Sequence, residues 1–159
     1  MMQNNFVTIS KTTHSELPEL QRIYKEAFES NVFPDTMLEE EDDDELDLSP
    51  EVSFRRNDLD TLSIYFMGTL VGGAILDRSS CNKNRLERFF LDPSAQNKGL
   101  GFQAWKILEQ DYSRKQGWML TTPTCLMNNI YFYVNKCGFH IVRVEDIGAD
   151  GIGMFVFEK

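Results

Sequence analysis

The stretch Leu86-Glu-Arg-Phe-Phe-Leu-Asp-Pro-Ser-Ala-Gln-Asn-Lys-Gly99-Leu-Gly101 restricts the fold more than any other part of the chain. Arg85 to Leu91 reads as a strand, and Asp92-Pro93 ends it. A few residues later Gly99 opens a helix that runs to about Arg114, with Leu100, Ala104, Ile107, Leu108 and Tyr112 on one stripe. The connection is tight, so the first turn of the helix follows directly on the strand's carboxyl end. Unpaired N–H groups at that turn, with the helix dipole behind them, favour an anion, and glycines at 99 and 101 let phosphates approach without a Cβ in the way. The Gly-Lys-Ser or Gly-Lys-Thr ending of a P-loop is missing, which disfavours ATP hydrolysis. A glycine-assisted helix start that binds nothing is the alternative reading of the same residues.

The remaining elements alternate around this unit. Phe6, Val7 and Ile9 predict a first strand, and Thr13 with Glu16 has capping-box spacing before a helix from about Ser15 to Phe28. Leu17, Leu20, Ile23, Tyr24, Ala27 and Phe28 share its inner face. Between Glu29 and Asp58 the periodicity fails, and Pro34, an acidic run and Pro50 predict a loop with one short helix. Thr61–Met67 and Leu70–Leu76 form a hairpin about Gly68 and Thr69. Trp118–Thr122 reads as a strand, Asn128–Lys136 as a short helix stopped by Gly138, and Phe139–Val144 and Met154–Phe157 as two last strands. Gly148, Gly151 and Gly153 belong to the turn before the final strand and lack the context of a dinucleotide fingerprint.

Size and charge exclude several classes. The 159 residues suffice for one domain and are too few for two ordinary ones, so 1–159 reads as a single domain with an acidic irregular segment at 34–50. Eight acids fall between Glu39 and Asp47, and the other seventeen nearly balance sixteen bases, so one segment carries almost all of the net charge of -9. That balance disfavours nucleic acid as a partner. No apolar run approaches a membrane span and no basic-then-apolar start is present, which predicts a cytoplasmic protein without membrane association. Cys81, Cys125 and Cys137 are widely spaced and read as free thiols, most simply buried ones. His14 and His140 lie on separate elements, so neither a metal site nor a Ser-His-Asp arrangement has support.

Gln96-x-x-Gly99-x-Gly101, after a strand ending Phe90-Leu91-Asp92-Pro93, resembles the acyl-CoA signature of the GNAT superfamily of N-acyltransferases. About forty residues downstream, Asn129-Ile-Tyr-Phe-Tyr133-Val-Asn-Lys-Cys-Gly138-Phe139 is similar to the second motif of that family. The order of elements matches as well, over nearly the whole chain. The resemblance implies an α/β (α+β) domain: a mixed, mostly antiparallel, twisted sheet of six to seven strands, splayed between the fourth and fifth, with about four helices on both faces. A bulge in the Arg85 to Leu91 strand would open the V-shaped cleft. Pantetheine of acetyl-CoA would bond main-chain groups of Phe89 and Leu91, with Phe90 between them. The pyrophosphate would meet the amides of Asn97, Lys98, Gly99, Leu100, Gly101 and Phe102, beside Gln96. Lys98 either adds charge there or is an ordinary solvated lysine.

The implied reaction is attack of a neutral primary amine on the acetyl thioester. Leu91 N–H is the candidate oxyanion donor, and Tyr133 the candidate acid for the departing thiolate. Tyr133 lies five residues before Gly138, whereas the family pattern has four, which is Val134; an extra residue in the helix-to-strand connection would restore it. Core packing is the other reading of this tyrosine. Asn128 and Asn129 both qualify as the cofactor-binding asparagine of the motif, and one of them could instead cap the helix. Glu87 stands where some members keep a general base; strand alternation puts it on the face of Phe89 and Leu91, and a strand-end salt bridge is its structural alternative. A domain that binds CoA without catalysis, as a sensor or interaction module, is the alternative function. The acceptor is a small-molecule or peptide amine; the acidic run would favour a cationic one, or it merely aids solubility. A homodimer is compatible with the family.

Overall fold

The elements of the computed structural model, which describes residues 6–30, 48–79, 82–113 and 116–159, follow the order read from the sequence. Strand β1 (Val7–Lys11) leads through a 3-10 turn (His14–Glu16) into α1 (Leu17–Glu29), and α2 (Pro50–Phe54) precedes the hairpin of β2 (Leu59–Phe66) and β3 (Thr69–Asp77). Strand β4 (Asn84–Leu91) runs into α3 (Leu100–Asp111). Then come β5 (Trp118–Pro123), α4 (Met127–Tyr131) with a π-helical continuation (Phe132–Lys136), β6 (His140–Glu145) and β7 (Met154–Glu158). The acidic run 39–47, most of the segment 34–50, and Cys81 lie outside the described residues. Among the described residues no helix is long and apolar enough to cross a membrane.

The seven strands make one sheet in the order β1-β2-β3-β4-β5-β7-β6. All neighbours are antiparallel except β4 and β5, which run parallel and share only the pairs Asn84↔Trp118 and Arg85↔Met119. Beyond these two pairs β4 stays with β3 and β5 stays with β7. The sheet therefore splays open between its fourth and fifth strands.

Helices cover both faces. Leu20, Ile23 and Ala27 of α1 pack on Phe90, and on the opposite face Leu100, Ala104, Trp105 and Leu108 of α3 pack on β1 to β5. The capping box holds, since Thr13 N–H donates to Glu16 Oε1 at 2.7 Å, but the first turn is 3-10 and the α-helix proper starts at Leu17. Phe28, read above as core, is 49% exposed; it stands near the end of the helix and lines the open cleft between β4 and β5. The hairpin turn is Met67-Gly68, one residue earlier than the sequence suggests; both have positive φ (52° and 81°), a conformation that Met rarely adopts. Helix α3 stops at Asp111, short of Arg114, where Tyr112 leaves the helical region at φ -115°.

A bulge in β4 decides which way its side chains face. Ile75 of β3 pairs with Arg88, but the next residue, Leu76, pairs with Leu86, so Glu87 is one residue extra. Leu86 and Phe89 consequently belong to the same packed cluster under α3, and the two residues between them, Glu87 and Arg88, share the other side. This corrects the simple alternation that grouped Glu87 with Phe89 and Leu91.

Candidate active site

The splay between β4 and β5 forms a cleft of about 820 Å³. Its walls include Glu87 to Leu91 of β4 and Leu120 to Pro123 of β5. Gln96, Asn97, Gly99, Gly101 and Phe102 close one end, and Asn128, Asn129, Phe132 and Tyr133 line one side. Of the residues singled out in the sequence, Lys98 and Leu100 do not line it. Lys98 is exposed, and the Leu100 side chain is buried against Val7 and Ile64, so only its main chain can serve a ligand.

The main chain of β4 presents itself to the cleft through its register. Asp92 N–H donates to Val71 O at 2.7 Å, and Gly72 pairs with Leu91, so Leu91 and Phe89 occupy the positions that do not bond β3. Their N–H and C=O groups point into the opening, whereas those of Phe90 point to β3. The Leu91 carbonyl accepts from Gln96 Nε2 at 3.0 Å, which ties the strand end to the turn and leaves the Leu91 N–H as the donor facing the cleft. Asp92 fixes the same turn by accepting from Ser94 N–H at 3.0 Å and pairing with Arg22 of α1 at 3.2 Å. These bonds hold the Asp92 carboxyl below its ordinary pKa, the Ser94 N–H contributing most.

Gly99 caps α3 in the left-handed region, φ 78°, after Asn97 at φ 62°. Only glycine adopts this conformation without strain. A Cβ on Gly101 would stand 3.5 Å from the Phe132 ring, at the wall of the cleft. The first N–H groups of α3 have no intrahelical acceptors and open toward this end. The cradle therefore suits a pyrophosphate.

Tyr133 is reached by an unexpected route. Phe132 to Lys136 form a π-helical turn in which Cys137 N–H donates to Phe132 O at 3.1 Å, and Phe139 N–H donates to Tyr133 O at 2.9 Å. The extra residue inferred from the five-residue spacing is thus in the helix itself and not in the connection after it. The ring is buried against Phe132, Phe139 and Phe157 while its side chain also borders the cleft. The core-packing reading holds, and the same residue stands at the cleft. Burial pushes the phenol well above its ordinary pKa, so it keeps its proton throughout the neutral range, and among the described residues its hydroxyl has no hydrogen-bond partner. Neighbouring Cys137 is likewise buried, its thiol pushed up to about 12, which leaves no thiolate there at neutral pH.

Glu87 lines the cleft from the bulge. Desolvation raises its pKa, against the opposing pull of Arg85, whose Nε lies 2.8 Å from Glu87 Oε1. Asn128 and Asn129 also line the cleft, but Leu126 is the N-cap of α4 and no side chain caps it, so neither asparagine plays the capping part. Arg88, Tyr24, Phe28 and Phe132 were not identified from the sequence as site residues; they reach the cleft through the bulge, the end of α1 and the π turn.

A sheet splayed between parallel fourth and fifth strands, with an anion cradle at one end of the gap, defines an acyl-CoA type of transferase fold. The Acetyltransferase (GNAT) family pattern matches residues 17–139, and the chain belongs to that family. It is 36% identical over 138 residues to the uncharacterized protein YrkN of Bacillus subtilis (strain 168), an alignment covering 86% of this chain and 75% of YrkN. The PaiA N-acetyltransferase of Thermoplasma acidophilum, solved in complex with coenzyme A, has the same fold, with TM-score 0.70, 21% identity and coverage of 96% of this chain and 98% of that one. So does the ribosomal-protein-S18-alanine N-acetyltransferase of Escherichia coli, with TM-score 0.70, 16% identity and coverage of 96% and 92%.

Proposed function

We propose that the protein transfers the acetyl group of acetyl-CoA to a primary amine by direct attack. The observation that carries this reading is the convergence on one cleft of the outward-facing β4 main chain, the α3 amides, Glu87 and Tyr133. Asn97 to Phe102 would hold the pyrophosphate, and the main chain of Phe89 and Leu91 would hold pantetheine as an added strand, beside Asn128 and Asn129.

Each remaining task falls to a residue of suitable chemistry. Glu87, its carboxylate made more basic by burial, takes the proton of the acceptor ammonium. The amine nitrogen then forms its bond to the thioester carbon, and the Leu91 N–H faces the oxygen on which charge develops. As the C–S bond breaks, Tyr133 gives its proton to the leaving sulfur. The second proton, shed by the acylated nitrogen, restores the phenol, and Glu87 returns the first proton to solvent. A free thiol titrates near 8.5 and the buried phenol well above its ordinary value near 10, so Tyr133 assists a departure that is already feasible. Cys137 is buried and is not among the residues lining the cleft, so direct attack routes no acetyl group through it.

The test combines calorimetric titration with acetyl-CoA and a thiol-release assay over a panel of amines. Saturable binding with amine-dependent release is expected. Saturable binding with no release from any amine would leave a CoA-binding module, and no binding would overturn the reading altogether.

A further inference from the structure

The bulge that moves Glu87 out of line also sets Arg88 beside it, at a part of the cleft that the cofactor cradle does not reach. Arg88 is half-buried. Its Nη1 donates to the main-chain oxygen of Glu87 at 2.7 Å, and its Nε lies 3.4 Å from the Tyr24 hydroxyl of α1. These bonds fix the guanidinium without neutralising it.

No carboxylate among the described residues lies within ion-pair distance of Arg88, although Glu87 feels its charge. The adjacent Glu87 is engaged by Arg85 at 2.8 Å, and Asp92 farther along the strand is engaged by Arg22. Apart from Lys136, which is exposed, Arg88 is the one cation among the residues lining the cleft. A half-buried guanidinium whose Nη2 has no partner among the described residues is suited to an anion, most of all a planar one that can take two parallel bonds. The pyrophosphate is not that anion. Its cradle is built at the head of α3, which packs on one face of the sheet, whereas Arg88 contacts α1 on the other.

We propose that Arg88, positioned by Tyr24, is a carboxylate subsite, and that the acceptor is an amino acid, its amine directed to Glu87 and its carboxylate to Arg88. This inference rests on the acetyltransferase reading for its amine and on Arg88 alone for its carboxylate. Adjacent acid and base on one side of the bulge complement a zwitterion, and neither a simple amine nor a polyamine would use the guanidinium. Ala27, Phe28 and Ser30 at the end of α1 line the same region and offer mixed apolar and polar contact to the acceptor's side chain.

The experiment compares each of the standard L-amino acids with its carboxamide, by thiol release and by calorimetric binding to the protein with and without CoA. At least one acid is expected to exceed its amide in kcat/KM by about tenfold to hundredfold, the range of a charge-assisted hydrogen bond. Arg88→Gln should erase that difference by raising KM for the acid while acetyl-CoA affinity is retained, and Arg88→Lys should restore part of it. Equal use of acids and amides, no amino acid bound or used, or a preference that survives Arg88→Gln would overturn the subsite. Failure of the two readings is distinguishable. Arg88-dependent amino-acid binding in a protein without acetyl-CoA affinity would keep the subsite and overturn the transferase, and acetyl-CoA binding without a carboxylate preference would do the reverse.

Discussion

The two ends of the cleft are built by different means. The end proposed for the cofactor consists of main-chain groups: the α3 amides after Gly99, and the Phe89 and Leu91 groups that β3 leaves unused. The end proposed for transfer consists of side chains, Glu87, Arg88 and Tyr133, and each owes its place to one additional residue, a bulge in β4 or a π turn after α4. A main-chain site tolerates many side chains but few conformations. A side-chain site depends on a register that one inserted residue resets.

The largest effect is expected where the main-chain site is blocked. Gly101→Asp brings a carboxylate to the amides meant for pyrophosphate, and saturable acetyl-CoA binding should vanish in a calorimetric titration. Gly101→Ala, whose Cβ meets the Phe132 ring at an ordinary 3.5 Å, is the control that separates charge from bulk. Unchanged affinity in Gly101→Asp would remove the cradle from this end. Next in size is Tyr133→Phe, which deletes one hydroxyl from a ring held by three aromatic neighbours. Turnover should fall by about 10²- to 10⁴-fold, the range of a positioned acid, with cofactor affinity retained. Because burial raises the phenol's pKa, wild-type kcat should show no alkaline limb from this residue below its ordinary value near 10. Full activity in Tyr133→Phe would confine the residue to packing.

The same contrast explains what could be read from the chain. That Gln96, Gly99 and Gly101 gather at the strand-to-helix turn beside the cleft was legible because a left-handed cap and a helix start free of side chains each demand particular residues at fixed spacing. The sheet was legible too, since apolar runs and turn residues punctuate it throughout. Glu87 was identified as a residue but assigned to the wrong face, because alternation has period two and nothing in Leu86-Glu-Arg-Phe announces a bulge. For Tyr133 the five-residue spacing signalled an extra residue without saying where it would be absorbed. Arg88 went unremarked, as an arginine next to a glutamate in a strand is ordinary until the partner of each is known.

A smaller effect is expected at the bulge. Glu87→Gln should cost up to about 10²-fold in kcat/KM at the acid end of a pH profile, where the acceptor is protonated and the base is needed, and less as pH rises. A profile of unchanged shape and height would leave Glu87 as the salt-bridge partner of Arg85. Stability gives an independent reading. Burial raises the folded-state pKa above the ordinary 4.5, so the stability associated with the protonated form is complete below 4.5 and is lost as pH rises through the raised folded value. Glutamine cannot ionise, so denaturant midpoints of the variant should improve relative to wild type between pH 4 and pH 7. The opposite trend would mean that pairing with Arg85 outweighs desolvation.

The smallest effect is expected from removing the residue that makes the π turn. Asn135 is exposed, and deleting it brings Tyr133 to four residues before the glycine. The two hydrogen bonds that define the turn need not be lost: Cys137 N–H to Phe132 O becomes an ordinary i to i+4 helical bond, and Phe139 N–H to Tyr133 O closes a turn one residue shorter. If the π turn merely absorbs an insertion while holding the tyrosine at the cleft, the deletion variant should fold, bind acetyl-CoA as wild type does, and keep kcat within about tenfold, a barrier change of about 1.4 kcal/mol. A loss as deep as that of Tyr133→Phe, with acetyl-CoA affinity intact, would show instead that the π turn itself sets the position of the hydroxyl. The transfer end would then depend on its inserted residue as strictly as the cofactor end depends on its glycines.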